Sequence, residues 1–405
     1  MPHFYAVTLA PRSEVVTFIC IIRSHSSSAS TILLMFSAAL ILSLAWTAFG
    51  LDSPPGLDAP IACRRIAAED SNATDVYYPG SFSYEADNEH YVISSSQRSG
   101  CSVEPGSVED VGTILLILGE TRMPFGVKGG GHASNPGFSS TTGIQITMAR
   151  FKDIAYDPKT QTAVIGAGNI WDDVYEFLNA RGVNVLGGRV SEIGVASFTL
   201  GGGYSWLSNL AIDNVVAYEL VMPNGKVTNV TASTVLFAQG GNNFDVVTRF
   251  TLKRVTSGSG GTTVYPTTVI STFTAVAAKF SSDVTDPKAV KLIIFGYAAQ
   301  QIVLATIMVC DGPAPPRGIF DDFLNITSLH LDVKERSFVD INKSTRLSVM
   351  STAGSRAVFN DIPMSNYSES TIKRVIADLK FWGPTLFARD ASSTITYEVP
   401  ELCDL

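Results

Sequence analysis

Three consecutive glycines, Gly129, Gly130 and Gly131, followed at once by His132, constrain this chain more than any other stretch. A backbone without Cβ atoms can approach a ligand closely and turn its N–H groups toward an anion. The apolar lead-in from Pro124 to Val127 predicts a short strand, so the loop hangs from a strand end. It holds His132 against whatever it cradles. Upstream, Ser107 reads as an N-cap with Asp110 three residues on. Val108, Val111, Ile114, Leu115 and Leu118 then recur at helical spacing. Ile144 to Met148 predicts the strand that follows the loop, and Val92 to Ser95 a short strand before the helix.

A second region, Gly187 to Tyr204, has ten positions filled by Gly, Ser, Thr or Ala. Side chains this small predict backbone pressed against a large flat ligand rather than a packed element. Between the two regions, Phe151 to Tyr156 and Thr162 to Ile165 read as strands. Asn169 can cap a helix carrying Trp171, Val174, Tyr175 and Leu178 on one face. Gly166-Ala-Gly168 does not open a dinucleotide fingerprint, because Trp171 stands where the third glycine belongs and no fitting acidic residue follows. Ala217 to Met222 and Lys226 to Val230 form a hairpin around Pro223-Asn-Gly225, and Asp245 to Lys253 is another strand. Ser257 to Gly261 reads as a linker. Beyond it, Val264 to Thr274, Val290 to Tyr297, Gln301 to Cys310 and Ser393 to Val399 read as strands, with a helix near Thr274 to Phe280.

The chain's 405 residues suit two domains, and 45% hydrophobic content supplies their cores. A net charge of −8 without a long basic run excludes a nucleic-acid partner. The apolar run from Ile32 to Ala45, with Arg12 and Arg23 before it, fits a secretory leader. A single N-terminal membrane anchor is the competing reading, and Met35 is an alternative start that would leave Met1 to Leu34 as a gene-model artefact. Cys20 would leave with the leader; Cys63 and Cys101 can pair, and Cys310 and Cys403 are left over. Asn-X-Ser/Thr sequons stand at Asn72, Asn229, Asn325, Asn342 and Asn366. With the leader they predict a secreted glycoprotein.

Taken together, the stretches Cys101 to Val111, Val127 to His132, Ile165 to Gly168, Gly187 to Tyr204 and Gly241 to Thr248 resemble the berberine bridge enzyme-like FAD-linked oxidoreductases. These carry a PCMH-type FAD-binding domain and belong to the vanillyl-alcohol oxidase superfamily. The resemblance covers roughly Cys63 to Lys253. It implies an α+β chain: a two-subdomain PCMH-type FAD-binding domain, then an α+β substrate domain. The corresponding boundaries are a leader at 1–50, an N-terminal segment at 51–95, the FAD-binding domain at 96–255 and the substrate domain at 256–405. It further implies that Lys128, Gly129, Gly130, Gly131, His132, Ala133 and Ser134 wrap the FAD pyrophosphate, with His132 bonded covalently to the flavin 8α-methyl. Gly188, Ser191, Gly194, Ser197, Thr199 and Gly201 would contact the ring system or ribityl chain, and Val247 the pyrimidine edge through its backbone. Where many relatives carry a second, cysteinyl attachment this chain has Val190, so the link is at most single.

The implied reaction is a two-electron oxidation of a C–H next to oxygen or nitrogen in a small-molecule substrate, with O₂ as acceptor. Tyr204 matches a tyrosine near the substrate face of the flavin, and simple packing is its competing role. Tyr397 and Glu398 are speculative additions from the late strand. No metal site and no stable membrane partner are expected, and oligomeric state is open. Family members continue past the position of Leu405, so the substrate domain reads as incomplete. A truncated, inactive flavoprotein or an incorrect gene model is the alternative.

Overall fold

The computed structural model describes residues 14–19, 59–206, 210–231, 245–255, 259–283, 289–310, 312, 317–344, 353–361, 367–391 and 393–402. Strand β1 (Glu14–Ile19) comes first in the chain but pairs late, as shown below. Helix α1 (Ala59–Glu69), strand β2 (Asp75–Tyr77), helix α2 (Phe82–Asn88) and strand β3 (Cys101–Glu104) begin the first layer. Helix α3 (Val108–Thr121) and strands β4 (Phe125–Lys128) and β5 (Ile144–Thr147) complete it. The sheet order is β2-β3-β5-β4. Strands β3, β5 and β4 run parallel and β2 antiparallel. Parallel neighbours need a crossover, and α3 supplies the one from β3 to β4. The Ser107 hydroxyl accepts from the Asp110 N–H at 3.1 Å, as the capping motif predicts.

Adjacent parallel strands β4 and β5 are joined differently: residues 129–143, the glycine loop itself, make the crossover with no helix. Cys63 of α1 is disulfide-bonded to Cys101 of β3 across 38 residues, so the segment before residue 96 is stapled into this layer. Closing a loop of that length is worth about 4 kcal/mol in the chain-entropy account.

The second layer holds β6 (Ile154–Asp157), β7 (Thr162–Gly166), helix α4 (Trp171–Asn179), β8 (Asn184–Val185), helix α5 (Val195–Leu200), β9 (Val215–Val221), β10 (Val227–Thr231) and β11 (Val246–Val255). Its order is β10-β9-β11-β7-β6, antiparallel throughout, with β8 pairing the end of β11. Asn169 is not the cap of α4. Its amide donates to the Gly166 carbonyl at 2.9 Å, and the cap position is Ile170.

The third layer contains β12 (Ser259–Tyr265), helix α6 (Ile270–Asp283), β13 (Ala289–Ala298), β14 (Gln301–Cys310), helix α7 (Asp321–Leu324), β15 (His330–Glu335), helix α8 (Phe338–Ser344), β16 (Arg356–Asp361), helix α9 (Glu369–Arg389) and β17 (Thr394–Leu402). The strand order is β15-β12-β14-β13-β17-β1-β16. Strand β1 lies parallel to both β16 and β17, whereas the other described pairings in this sheet are antiparallel. Glycines 260 and 261 are strand residues, not linker. A Cβ on Gly260 would sit 2.5 Å from the Met308 carbonyl oxygen, and one on Gly261 1.7 Å from that of Asp332. Close strand approach, not flexibility, explains them. The strand expected over Val264 to Thr274 ends at Tyr265, and Val92 to Ser95 holds a 3₁₀ turn.

Period-two alternation along β13 divides the third sheet between two cores. Val290 and Leu292 join the core of the first two layers, while Ala289, Ile293 and Phe295 join the core under α6 and α9. Lys291 is buried with this second set, its Nζ 3.4 Å above the Phe280 ring and 4.1 Å from that of Phe323. Cation–π contact compensates part of the cost of burying its charge.

Asn72, Asn229 and Asn325 are exposed, whereas Asn342 is 1% exposed and donates to Asp172, so that sequon is closed to a glycan in this fold. Asn366 and Cys403 lie outside the described residues, as does the apolar run from Ile32 to Ala45. Among the described residues, no helix is long and apolar enough to cross a membrane.

Where α1 meets α3, burial and the neighbouring Asp110 push the Asp70 carboxyl up to about 7. The folded state therefore holds a proton there that the unfolded chain has lost by pH 5. This contribution to stability is full below about pH 4 and disappears as pH rises through 7. Asp70→Asn is expected to equal or exceed the wild type in urea denaturation at pH 8, with a smaller advantage, or none, at pH 5.

Candidate active site

The glycine loop reaches its neighbours by backbone. A Cβ on Gly130 would lie 2.5 Å from the Cα of Gly194, and one on Gly129 would lie 2.9 Å from the Ala167 carbonyl oxygen. The two glycine-rich regions thus touch each other directly. Gly131 has φ +73, a conformation that side chains rarely adopt. The Lys128 side chain passes beside Gly131, its Cε 2.7 Å from where a Cβ there would stand, toward α2. Its Nζ donates to the carbonyls of Ala86, Asp87 and Glu89 at 2.8, 3.1 and 2.6 Å, closing the C-terminal end of α2. Burial lowers its pKa against the pull of Asp87 and Glu89. The lysine side chain is therefore a structural cap, and only the main chain around it faces the cradle.

His132 follows in a tight frame. The Tyr91 ring stacks on the imidazole with centroids 3.9 Å apart and planes 12° apart. Burial drives the pKa of the ring down to about 4, opposed by a hydrogen bond from the main chain of Glu192 and by the charge of Asp172. Nδ1 is buried with no hydrogen-bond partner. At neutral pH the ring is uncharged.

Glu192 is held in a left-handed conformation, φ 67, by a residue that sequence reasoning missed. Asp172, in the first turn of α4, accepts the Glu192 N–H at 2.7 Å, the Ser191 hydroxyl at 2.7 Å and the Asn342 amide at 3.2 Å. The signal available was an acidic residue at a helix start, which the helix dipole favours in any case. Ser191, fully buried, is thereby committed to Asp172. Thr199 lies in α5 and donates to the Val195 carbonyl, while Ser197 and Gly201 are exposed. The second glycine-rich region is thus partly a packed element. Its flat partner at Gly187 and Gly188 is the indole of Trp171, 2.2 and 2.5 Å from where a Cβ would stand. Val247 lies on β11 opposite Leu220, at a bulge. Ala133 and Ser134 are half-buried beside the histidine.

A second cluster gathers around Arg189 in the second glycine-rich region. The Arg189 guanidinium stands 6.0 Å from the Tyr204 ring and 5.5 Å from that of Trp206, with Nη1 buried and unpartnered. Glu398, from β17 of the third layer, lies within electrostatic reach of it. Burial lowers the arginine and raises the glutamate, and each charge partly restores the other. Tyr397, on the opposite face of the strand, is pushed up to about 12 by burial and by Asp378. The late strand therefore brings one of its two speculative residues, Glu398, to the cluster that holds Tyr204.

Two orphaned atoms, His132 Nδ1 and Arg189 Nη1, and a cradle of bare backbone are what a flat, polar, phosphate-bearing group would satisfy. A separate cavity of about 370 Å³ lies between α6 and α9, lined by Ile270, Thr274, Glu369, Lys373, Ile376 and Lys380, and includes none of these residues. Gly130→Ala is expected to destabilise the fold by about 1–3 kcal/mol through overpacking against Gly194, measured by chemical denaturation. Gly119→Ala, on α3 with nothing within 4 Å, is expected to stabilise it by about 0.5–1 kcal/mol.

Residues 100–231 match the family model described as FAD binding domain. An FAD-linked oxidoreductase of Arthroderma benhamiae is 31% identical over 68% of this chain and 57% of its own length. The FAD-dependent monooxygenase drtC of Aspergillus calidoustus is 32% identical over 71% of this chain and 59% of its own length. The chain thus spans under three-fifths of these relatives. The fold is that of 6-hydroxy-D-nicotine oxidase from Arthrobacter nicotinovorans, with TM-score 0.60 and 20% identity over 68% of this chain and 64% of that one. It is shared by a BBE-like protein of Physcomitrella patens, with TM-score 0.58 and 18% identity over 70% and 65%. A glucooligosaccharide oxidase of Acremonium strictum, carrying a 6-S-cysteinyl, 8α-N1-histidyl FAD, matches with TM-score 0.58 and 16% identity over 70% and 62%. The glycine cradle and its histidine lie within the matched FAD binding domain, and the chain is similar in sequence to FAD-linked oxidoreductases and in fold to the flavoenzymes named above.

Proposed function

We propose that the protein is an oxidase that binds FAD between its two glycine-rich regions and is joined to it through Nδ1 of His132. The observation that carries this reading is the imidazole at the exit of the glycine cradle, stacked under Tyr91 with Nδ1 buried without a hydrogen-bond partner. FAD supplies the hydride acceptor for a substrate C–H next to oxygen or nitrogen, and O₂ takes the electrons. Main-chain groups around Gly129 to Ser134 would hold the pyrophosphate. Glu398 would accept the substrate proton on its carboxylate, with Arg189 setting the charge balance and Tyr204 orienting the substrate. Val190 leaves no thiol for a second link.

Export is part of the proposal. It is supported by the Cys63–Cys101 disulfide and by the exposed sequons at Asn72, Asn229 and Asn325. Cleavage near residue 50 would remove β1 from its place between β16 and β17. The N-terminal sequence of the mature protein therefore decides between a cleaved leader and a retained strand.

Purified wild-type protein is expected to keep its yellow colour on the polypeptide after denaturation, and His132→Ala to lose it. Colourless protein from a flavin-replete host would overturn the reading. Reaction of flavin-free protein with FAD is expected to fade as pH falls toward about 4, where His132 gains a proton and loses the Nδ1 lone pair. Glu398→Gln is expected to lower peroxide release by about 10²–10⁴-fold with flavin content unchanged. Yellow protein that releases no peroxide with any donor would instead mark the inactive reading.

A further inference from the structure

Tyr91 lies outside both glycine-rich regions and outside every stretch that carried the family resemblance, yet it touches the site twice and the third layer once. Its ring stacks on His132 at 3.9 Å and 12°. Its N–H donates to the Gly131 carbonyl at 2.9 Å, fixing the glycine that leads into the histidine. Its own carbonyl accepts from the Gly354 N–H at 2.8 Å, in the turn before β16. Two residues on, the Ile93 N–H donates to the Ser355 carbonyl at 2.8 Å, so a two-bond main-chain clasp ties this segment to the third layer. On its other side the segment is anchored to the first layer. Lys128 holds the carbonyls of Ala86, Asp87 and Glu89, and the His90 ring bridges the Asn88 carbonyl at 3.0 Å and the Ser139 hydroxyl at 2.9 Å.

An imidazole has two nitrogens and a ring that can flip about its χ2 bond, a soft, broad torsion. With Nδ1 unpartnered, no hydrogen bond at that nitrogen fixes the tilt of the ring. A stacked ring removes the tilt. We propose that Tyr91 is a positioning residue that locks the plane of His132, so that Nδ1 is the nitrogen presented to the flavin, and that its clasp to Gly354 and Ser355 ties this orientation to the docked substrate domain. The inference rests on the covalent reading of His132. In that step a bond forms between Nδ1 and the flavin methyl carbon while a C–H bond of the methyl breaks. The proton leaves to solvent, and O₂ removes the two electrons left on the flavin.

The test compares Tyr91→Phe, which keeps the stack, with Tyr91→Ala, which removes it. Total flavin, flavin retained on the denatured polypeptide and thermal midpoint are read for each. In Tyr91→Ala the retained fraction is expected to fall about tenfold, with releasable flavin making up the difference, and Tyr91→Phe is expected to match the wild type. Tyr91→Leu replaces the alanine variant if that fails to fold. A second measurement uses flavin-free protein from riboflavin-starved cells and ¹⁵N imidazole NMR. The wild type and Tyr91→Phe are expected to hold His132 as the Nε2–H tautomer, and Tyr91→Ala to show both tautomers. If Tyr91→Ala keeps the wild-type retained fraction and a single tautomer, the role of Tyr91 is overturned. If the wild type itself releases all its flavin, the covalent reading fails, while the tautomer comparison still decides whether Tyr91 positions the ring.

Discussion

Parallel pairing of β4 with β5 imposes a demand that the chain meets in an unusual way. Neighbouring parallel strands need a crossover from one end of the sheet to the other, and a helix normally uses up the hydrogen-bonding groups of that crossover. Residues 129–143 make the journey without one. Their backbone groups are bonded piecemeal, as where Gly131 accepts from Tyr91 and Gly143 from Gly100. A loop of this kind keeps N–H groups that a helix would have spent internally. The direct contact of Gly130 with Gly194 then sets the second glycine-rich region against it. The site exists because a crossover was left unwound.

Order at the site comes from a relay of ordinary contacts. Asp172 holds the Glu192 N–H, Glu192 turns left-handed, and its main chain lies beside the His132 ring. The same carboxylate takes the Asn342 amide from α8, and the Lys343–Glu176 pair at 2.5 Å adds a solvent-screened contact beside it. Apolar packing of Tyr175 on Phe338, with ring centroids 5.4 Å apart, carries more of the stability of that seam. Alignment of the histidine is therefore tied to how the third layer sits on the second.

Several parts of this arrangement are legible in the residues. The Ser107 cap, the strand before the glycine loop, the hairpin at Pro223 to Gly225 and the Cys63–Cys101 pairing each depend on local chemistry or on a small cysteine count. Other parts are not. Glycine reads the same whether it clears space for a ligand, for Trp171 or for a neighbouring strand, so Gly187, Gly188, Gly260 and Gly261 invite the wrong explanation. Lys128 looks like an anion ligand beside its glycines, and only the position of α2 shows that its charge closes a helix end.

What the sequence determined by itself is the inventory: a glycine cradle that can tolerate close approach, one histidine at its exit and no thiol at Val190. These follow from side-chain size and chemistry, which do not depend on distant neighbours. Tertiary structure alone decided which nitrogen of His132 stays open, that Tyr91 covers its face, and that Arg189 feels the charge of Glu398 from another layer. Those facts join residues from about 40 to over 200 positions apart, and a contact over that range is set by sheet order and packing, to which no local pattern points.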